Sequence, residues 1–367
     1  MALDERKKLI LKAVVDDYIS TAEPVGSKAL ALRSDFNISS ATIRNEMAEL
    51  ENDGYLIHPH TSAGRIPTDK GYRVYVDNLM QIPEPDEQYN LKVKEFFAEG
   101  IDEITDVLEN ASKALSESTG YTSLTLTPRL RKNQLKQIKM LMIEPGKVLM
   151  VVVLEEGVVK DRLVRVSDLI DESQLLRIAD AVERGLSGIP IEEITFIAVA
   201  AAGKKVEIPE SLLKQILYEA YVSIKQADSL GVYMDGANKM LGYPEFYEVD
   251  KAKSFMDTLS ERGMVAGYLD EVNSDLESDD NAEVTRKPYM IRIGQEISIT
   301  GLKDCSFVTT LYSTGGKIAG SIGVIGPRRM DYAKVVSSIG FVRSHINEEL
   351  RKLCSDGCDK YIGESLK

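Results

Sequence analysis

The sequence predicts an α+β protein of several domains, with a winged helix-turn-helix at the N-terminus and a mostly helical segment inserted into an α/β domain. Two patterns predict this. Residues 1–80 have the pattern of helix, helix, short turn and helix, followed by a strand-like ribbon. Further along, strand-like runs stand both before and after a long helical block. A chain of 367 residues has room for two or three such domains.

The net charge is unusual for a protein that binds nucleic acid, because such proteins usually carry a basic surface. The formal value is −13 for the whole chain. Residues 1–80, called the head below, contain 10 Lys and Arg against 12 Asp and Glu, a net charge of −2. Nucleic-acid binding by the head would therefore depend on where its individual charges fall.

Composition narrows the class of protein. Apolar residues make up 43% of the chain, and no stretch approaches the roughly 18 apolar residues that a membrane span needs. Residues 1–12 are charged and lack an apolar export segment, so the expected location is the cytoplasm. Cys305, Cys354 and Cys358 are too few for a disulfide framework. With three histidines in the chain, we expect neither a metal site nor a cofactor.

The head begins with a predicted helix-turn-helix. Apolar spacing predicts three helices, over residues 4–20, 28–33 and 41–52. Ser27 is a suitable N-cap for the second helix, and Ser39 or Ser40 for the third. Gly54 stands where the third helix is expected to end.

A two-stranded wing is predicted directly after the third helix. Residues 55–58 have the pattern of a strand, 59–64 of a loop and 65–67 of a short return strand. Thr68 then caps a fourth helix that runs to about Met80. Residues 81–88, rich in proline and acid, form a linker, so the first domain is predicted to span residues 1–80.

The third helix is the predicted recognition element. Ile43, Met47 and Leu50 follow helical spacing and should pack inward. Arg can make two hydrogen bonds to guanine and Asn two to adenine, and a recognition helix presents its N-terminal half to base edges. The alternative is an ordinary amphipathic helix with solvated charges. The candidate contacts that lie off the inward stripe are Ser39, Ser40, Thr42, Arg44 and Asn45.

The wing and the fourth helix supply further candidates. The loop is small, polar and basic, and Gly64 allows a tight turn. From it, His60, Ser62 and Arg65 could reach a groove or a phosphate. Lys70 and Arg73 on the next helix are predicted phosphate contacts.

The rest of the chain is predicted as an interrupted domain. An antiparallel meander is expected over 135–143, 147–154 and 158–166. A helical region then runs from 167 to about 263, with short strand candidates at 194–199 and 232–234. Residues 269–283 carry seven acids and no base, which is typical of a solvated, flexible loop. The other predicted elements are helical residues 89–118, with a break near Gly100, strands 121–127, 290–299, 306–312 and 318–325, and a last helix 332–354.

One stripe in the helical region has two interpretations. Leu212, Ile216, Ala220 and Ile224 repeat every four residues within the predicted helix 210–230. The stripe is either a dimer face or the core of the inserted segment, and we favour the core.

Several segments resemble one known family. These are Ser40-Ala41-Thr42-Ile43-Arg44-Asn45-Glu46-Met47 in the third helix and the run from Pro59 to Thr68 in the wing. Residues 50–51, 54–55, 238–246 and 321–332 match as well, so the similarity covers nearly the whole chain. Together they resemble the heat-inducible transcription repressor family, HrcA. The acidic stretch 269–283 is longer than the family pattern, and no role carries over to it.

The resemblance implies a fold of three domains: a winged helix, a GAF-like domain and a dimerising domain inserted into it. The predicted GAF-like parts are residues 89–166 and 266–367, and the insertion is 167–265. It also implies a function, the repression of heat-shock chaperone operons by a homodimer bound to an inverted-repeat DNA operator. A GroEL-type chaperonin is implied as the partner that maintains the active repressor, and loss of this support on heat stress relieves repression.

Two rival functions can be compared with this one. A GAF-like domain could hold a small ligand, which would make the protein a sensor. Ser313-Thr314-Gly315-Gly316-Lys317 looks like a phosphate loop, but it lies between two strands and predicts a hairpin turn. Gly320, Gly323 and Gly326 likewise precede no helix in the pattern of a dinucleotide site. An enzyme is not expected, because no nucleophile–base pair, Walker A or metal-binding motif occurs, and no catalytic residue is predicted.

Overall fold

A computed structural model describes most of the chain. The described residues are 3–33, 38–59, 64–84, 87–97, 104–126, 134–154, 159–204, 206–227, 231–277, 288–314 and 317–362. The chain forms two compact units. The first consists of residues 1–128 and 231–367, and the second, called the inserted unit, of residues 129–230.

The head has the predicted order of elements. Its helices and strands are α1 (Glu5–Thr21), α2 (Ser27–Ala31), α3 (Ser40–Asn52), β1 (Leu56–Ile57), β2 (Ile66–Pro67) and α4 (Asp69–Val74), which a π-helical turn continues over Tyr75–Leu79. β1 and β2 pair antiparallel and form the ribbon of the wing. One detail of the prediction is wrong: Ser27 is the first residue of α2, and Gly26 occupies the N-cap without a side-chain hydrogen bond.

The inward stripe of α3 fixes this helix in the head. Ile43, Met47 and Leu50 are fully buried, as predicted. Gly54 adopts a left-handed φ of +79°, which lets the backbone N–H of Tyr55 donate to the Leu50 carbonyl at 2.8 Å. This hydrogen bond ends the helix and turns the chain directly into β1.

The rest of the first unit is built on a five-stranded antiparallel sheet of order β7-β3-β10-β9-β8. Its strands are β3 (Thr122–Leu126), β7 (Val232–Asp235), β8 (Met290–Ile293), β9 (Cys305–Thr314) and β10 (Lys317–Pro327). The helices of this part are α5 (Glu87–Phe96), α6 (Ile104–Thr119), α10 (Val249–Ser260), α11 (Arg262–Glu277) and α12 (Tyr332–Ile362). β10 pairs with β9 from Lys317 opposite Thr314 onward, which supports the hairpin interpretation of that glycine-containing segment.

The acidic stretch differs from its prediction over the part that is described. Residues 269–277 continue α11, and Leu269 and Val272 are buried. The high acid content concealed these two apolar positions three residues apart, which anchor a helix. Residues 278–283 of the predicted loop lie outside the described residues.

The inserted unit contains the meander and three helices. These elements are β4 (Leu135–Glu144), β5 (Lys147–Leu154), β6 (Val159–Arg165), α7 (Glu172–Leu186), α8 (Phe196–Gly203) and α9 (Glu210–Ala227). The strand predicted at 194–199 is wrong, because the chain enters α8 there. Thr195 caps that helix by accepting a hydrogen bond from Ala198 N. The prediction failed because a short run of apolar residues fits a buried helix and a buried strand equally well.

The boundaries of the insertion also differ from those predicted. The sequence places the meander, residues 135–166, in the GAF-like domain, yet Met150 and Val152 of β5 share one core with Ile178 and Val182 of α7. Conversely, β7 and α10, which lie inside the predicted insertion, belong to the first unit. The change from strand to helix at residue 167 suggests a domain boundary, but both kinds of element bury their apolar faces against each other.

Ile216, Ala220 and Ile224 of α9 are buried in the same core, with Leu212 packed against it. The favoured interpretation of this stripe, a core and not a dimer face, is therefore confirmed.

Within the described ranges, no helix has the length and apolar character to cross a membrane. Over the same residues, no group of three or more His, Cys, Asp or Glu is arranged to hold a metal ion.

Candidate nucleic-acid interface

The N-terminus of α3 is built as predicted. Ser39 is the N-cap, and its Oγ accepts a hydrogen bond from the Thr42 backbone N–H at 3.1 Å. The Ser39 and Thr42 hydroxyls lie 3.0 Å apart and share a second hydrogen bond. Ser40 is half-buried at the first helical position. This helix start leaves backbone N–H groups pointing outward, an arrangement that suits a phosphate oxygen.

Arg44 and Asn45 are exposed on the N-terminal half of α3. Neither side chain makes an ion pair or side-chain hydrogen bond within the part of the chain that the structure describes. Both are therefore available to a partner outside the head, and both can form paired hydrogen bonds with the major-groove edge of a base.

The acids of α3, in contrast, are engaged inside the head. Glu46 lies 3.4 Å from Arg6, and Glu49 lies 2.7 Å from Lys7. The hydrogen bond to Glu49 raises the pKa of Lys7 above its usual value, as expected when a carboxylate stabilises the charged amine. The basic side chains of α1 thus offset the negative charge of α3, which explains how a near-neutral head can present a basic residue at the helix start.

Arg65, predicted to reach a DNA groove or a phosphate, is buried inside the head. It is 9% exposed, and its Nη2 lies 3.0 Å from Glu51 Oε2 at the end of α3. His58 Nδ1 approaches the other oxygen of the same carboxylate at 2.7 Å. These hydrogen bonds, that of His58 first, lower the pKa of Glu51. Arg65 therefore ties the wing to α3 from inside the head, and its guanidinium does not project toward a groove.

The wing is also joined to the start of α2 through the backbone. Val25 and Arg65 exchange two backbone hydrogen bonds, each 2.9 Å long. A Cβ on Gly64 would lie 2.4 Å from the Val25 carbonyl oxygen. Gly64 is needed for this close approach, whereas the sequence suggested a tight turn. His60 and Ser62, the other two candidates of the wing, lie outside the described residues.

Lys70 and Arg73 lie on α4 in different surroundings. Lys70 is exposed, donates to the Asp53 carbonyl at 2.7 Å and stands 4.3 Å above the Tyr55 ring. Arg73 is engaged by Glu296, which follows β8. Lys70 keeps an exposed charge for a phosphate, while Arg73 already has a carboxylate partner.

Sequence reasoning missed one candidate of this surface and one contact inside the head. Lys28 is exposed on α2, the first helix of the helix-turn-helix, which crosses the DNA backbone in proteins of this type. Its place on the short helix predicted over residues 28–33 was a signal that was available. The contact of the Glu51 carboxylate with the wing was missed as well, because nothing in the spacing of the third helix shows that the wing folds back onto it.

The chain is similar to known proteins over nearly its whole length. A family model described as "HrcA protein C terminal domain" matches residues 105–336. The heat-inducible transcription repressor HrcA of Ruminiclostridium cellulolyticum is 41% identical over 358 residues, covering 97% of this chain and 100% of that protein. The protein of the same name from Acetivibrio thermocellus is 38% identical and covers 96% of this chain and 98% of its own length.

A solved structure described as a hypothetical protein at 2.2 Å resolution has a similar fold. The TM-score is 0.59 at 21% identity, with 96% of this chain and 100% of that chain covered. At this identity the likeness supports the fold alone. The long sequence matches carry the assignment: the chain belongs to the heat-inducible transcription repressor family, HrcA.

Proposed function

We propose that this chain is a heat-inducible repressor that binds an inverted-repeat operator of chaperone operons as a homodimer, with α3 of each head in the major groove. The observation that carries the proposal is the division of charge on α3. Within the described ranges, Arg44 and Asn45 are unengaged and exposed at its N-terminal half, while Glu46 and Glu49 are held by bases of α1. The relatives are named as transcription repressors, a class of regulators and not of enzymes.

Two-fold symmetry fits this function. An inverted repeat presents the same bases twice about an axis, so a dimer with one recognition helix per half-site matches it. A near-neutral head provides little general attraction to phosphates. Two tethered heads offset this weakness, because binding of the first raises the effective concentration of the second.

The inserted unit offers a face for the homodimer. Its three-stranded sheet is covered by helices on the side of Val148, Met150 and Val152. The opposite side carries a row of three leucines, with Leu149 of β5 paired to Leu141 of β4 and Leu163 of β6. Leu141 is 47% and Leu163 is 60% exposed. An apolar row on an open sheet marks a surface that another protein surface covers.

Support by a GroEL-type chaperonin is part of the proposal, and the sheet of the first unit gives it a physical basis. Leu124 of β3 pairs with Gly323 of β10 and with Met234 of β7. These pairings join segments that are far apart in the chain. Such sheets form slowly, and they expose apolar surface until the last strand arrives. A chain that exposes apolar surface while it folds is the kind of chain that a chaperonin can bind.

The test is a binding titration of the full-length protein against an inverted-repeat operator duplex and a scrambled duplex, at two salt concentrations. Arg44→Ala should lose about 1–3 kcal/mol of discrimination between the duplexes per half-site, because its paired hydrogen bond to a base is removed. Arg184→Ala, an exposed arginine of α7, is the matched control and should bind as the wild type does. Repeating the titration with chaperonin present tests the second part of the proposal, which requires tighter binding or a larger active fraction.

Equal, salt-sensitive binding of the wild type to both duplexes, with and without chaperonin, would refute sequence recognition by α3. If Arg44→Ala weakened both duplexes equally, Arg44 would be a phosphate contact and the bases would be read elsewhere.

A second candidate function, ligand sensing, is favoured by one cavity in the first unit. It has a volume of about 600 Å³ and is lined by Thr258 of α10, Tyr268 and Glu271 of α11, and residues 298–301. Among the described residues, the buried Tyr268 hydroxyl has no hydrogen-bond partner. A cavity of this size can hold a small molecule. Native mass spectrometry of the protein purified from its own cells should show a bound small molecule if the chain is a sensor, and bare protein if it is not.

A further inference from the structure

Helix α4 of the head is attached to the five-stranded sheet by charged side chains. Arg73 Nε lies 2.9 Å from Glu296 Oε1, and its Nη2 contacts the second oxygen of the same carboxylate. The same Nη2 donates to the Ile291 carbonyl of β8 at 2.7 Å. The Arg73 and Glu296 side chains are 29% and 31% exposed. A bidentate, partly buried ion pair of this kind fixes both the distance and the relative orientation of the two side chains.

A second contact lies one helical turn earlier. Asp69 Oδ2 accepts a hydrogen bond from the Gln295 backbone N–H at 3.1 Å, and Oδ1 lies 3.3 Å from Arg328 Nη1. Arg328 reaches Asp304 as well, at 3.0 Å. Gly294 has a φ of +53°, and a Cβ there would lie 2.2 Å from Asp69 Oδ2. The backbone before Gln295 is therefore shaped to receive the Asp69 carboxylate.

Additional contacts hold the same junction. The Tyr72 and Tyr332 rings lie 5.9 Å apart between their centres. Arg329 donates to the Ile19 carbonyl of α1 at 3.4 Å and pairs with Glu245 at 2.7 Å. Two helices of the head, α1 and α4, thus meet the corner between β10 and α12. Arg328 and Arg329 thus brace this corner within the first unit.

The covalent connection does not fix the head by itself. Residues 81–84, which follow the π-helical turn, are exposed and have no regular structure. A short irregular segment of this kind permits rotation about its backbone bonds. The direction of α3 relative to the sheet is consequently set by the side-chain contacts of α4 and α1.

We propose that these contacts, called the α4 latch (Asp69 and Arg73 with Gln295, Glu296 and Arg328), determine which spacing of operator half-sites the dimer accepts. The proposal rests on the proposed function, since it requires two heads on one inverted repeat. A head held in one direction loses little rotational freedom when the second half-site is bound. A released head could meet half-sites at several spacings, but each with lower affinity.

The experiment measures binding of the full-length protein to a series of inverted repeats that differ in the length of their central spacer, and to a single half-site. The wild type should prefer one spacing. Arg73→Gln and Glu296→Gln should each weaken binding at that spacing by roughly tenfold to a hundredfold, flatten the preference, and leave half-site binding unchanged. The charge-swapped double variant, Arg73→Glu with Glu296→Arg, should restore part of the preference.

The Glu296→Gln variant distinguishes two roles of Arg73: the α4 latch proposed here, and the direct phosphate contact predicted from the sequence. If Arg73 bound a phosphate, Arg73→Gln would weaken half-site binding as well and lower the salt dependence. In that case Glu296→Gln, which removes the negative charge beside Arg73, would leave DNA binding unchanged or make it stronger. That pair of results would overturn the proposal, and so would an unchanged spacing preference in both variants. Arg184→Gln is the control for removal of an exposed arginine elsewhere.

A measurement without DNA keeps the two proposals distinguishable. Hydrogen–deuterium exchange at residues 79–84 and along α4 should become faster in Arg73→Gln and in Glu296→Gln, because the latch protects this segment. If the wild type bound no inverted repeat, the proposed function would fail, whereas exchange would still report whether the latch restrains the head. Unchanged exchange in both variants would refute the latch itself.

Discussion

At the scale of single residues, burial divides the arginines of the head into two groups. Among the described residues, Arg44 is exposed and unengaged, whereas Arg65 and Arg73 are held by Glu51 and Glu296. The three have the same chemistry in the sequence and resemble one another as candidates for DNA contact. Their surroundings separate them. If the guanidinium of Arg65 or Arg73 moved away to bind DNA, it would leave a partly buried carboxylate without its partner, which costs free energy.

Arg65→Ala tests this division. The substitution leaves the Glu51 carboxylate with His58 as its remaining partner, so the free energy of unfolding of the head should fall by about 1–3 kcal/mol. Chemical denaturation followed by amide exchange along α3 measures this. Arg44→Ala is the matched control and should stay within about 0.5 kcal/mol of the wild type. Wild-type stability in Arg65→Ala, combined with abolished DNA binding, would instead make Arg65 a contact residue.

The pH dependence of the head should reflect Glu51. Its pKa is lowered in the folded state, chiefly by the hydrogen bond with His58 and then by Arg65. A lowered folded pKa stabilises the fold at pH values above the unfolded pKa of about 4.3, and this stabilisation is lost as the pH falls through the folded pKa. Thermal unfolding of wild type and Glu51→Gln from pH 6 to pH 3 should show a stability difference that shrinks with acid. A difference that grew with acid would contradict the assignment.

At the scale of elements, the head depends on close backbone contacts that carry no strong sequence signal. The wing reaches α2 through the Val25–Arg65 backbone pair, and α3 reaches β1 through the turn at Gly54. Each contact needs a glycine, one for the absence of a Cβ and one for its left-handed φ. Both glycines were visible in the sequence, but their partners were not.

Gly64→Ala should detach the wing from α2. The added Cβ would overlap the Val25 backbone, so Val25 and Arg65 must move apart and break their two hydrogen bonds. We expect a decrease of about 1–3 kcal/mol in the stability of the head, the usual cost of overpacking. Gly26→Ala is the control, since nothing lies within 4 Å of a Cβ there. Equal melting temperatures for the two variants would show that the wing does not depend on this contact.

At the scale of the whole molecule, the two compact units differ in how their sheets are joined. β4, β5 and β6 of the inserted unit are consecutive in the chain, whereas β3 of the first unit pairs with strands from the other side of the insertion. Local pairing forms rapidly, and distant pairing forms slowly. The first unit is therefore expected to be the slower part to refold.

The proposed homodimer should depend on the leucine row of the inserted unit. Leu149→Glu places a charge between Leu141 and Leu163, so a subunit interface on this face would have to bury it. Analytical ultracentrifugation should show a shift from dimer to monomer, with the circular dichroism spectrum unchanged. Ile197→Glu, at a position of α8 that is 80% exposed, is the control and should remain dimeric. The reverse pattern would place the interface on α8.

Heat sensitivity should lie outside the winged helix. Because the five-stranded sheet relies on pairing between distant segments, we expect it to lose structure at a lower temperature than the head. Amide exchange measured at rising temperature, resolved by peptide, compares α3 with β3 and β10. Earlier loss of protection in α3 than in these elements would show that the heads are the labile part.

The local features of this protein follow from its sequence alone. The helix-turn-helix, the wing, the meander and the end of α3 at Gly54 follow from apolar spacing, capping residues and glycine, all of which act over a few residues. The exposure of Arg44 and Asn45 follows in the same way, because the inward stripe of α3 leaves them outside.

The remaining features depend on how distant segments pack together in the folded chain. The bounds of the inserted unit, the helix α8, the partner of Arg65 and the attachment of Arg73 to Glu296 each depend on segments brought together from different parts of the chain. Glu296 lies 223 residues from Arg73 in sequence, and no local pattern links them. A side chain's role is set by what lies within hydrogen-bond reach of it, and for these residues only the folded chain determines that.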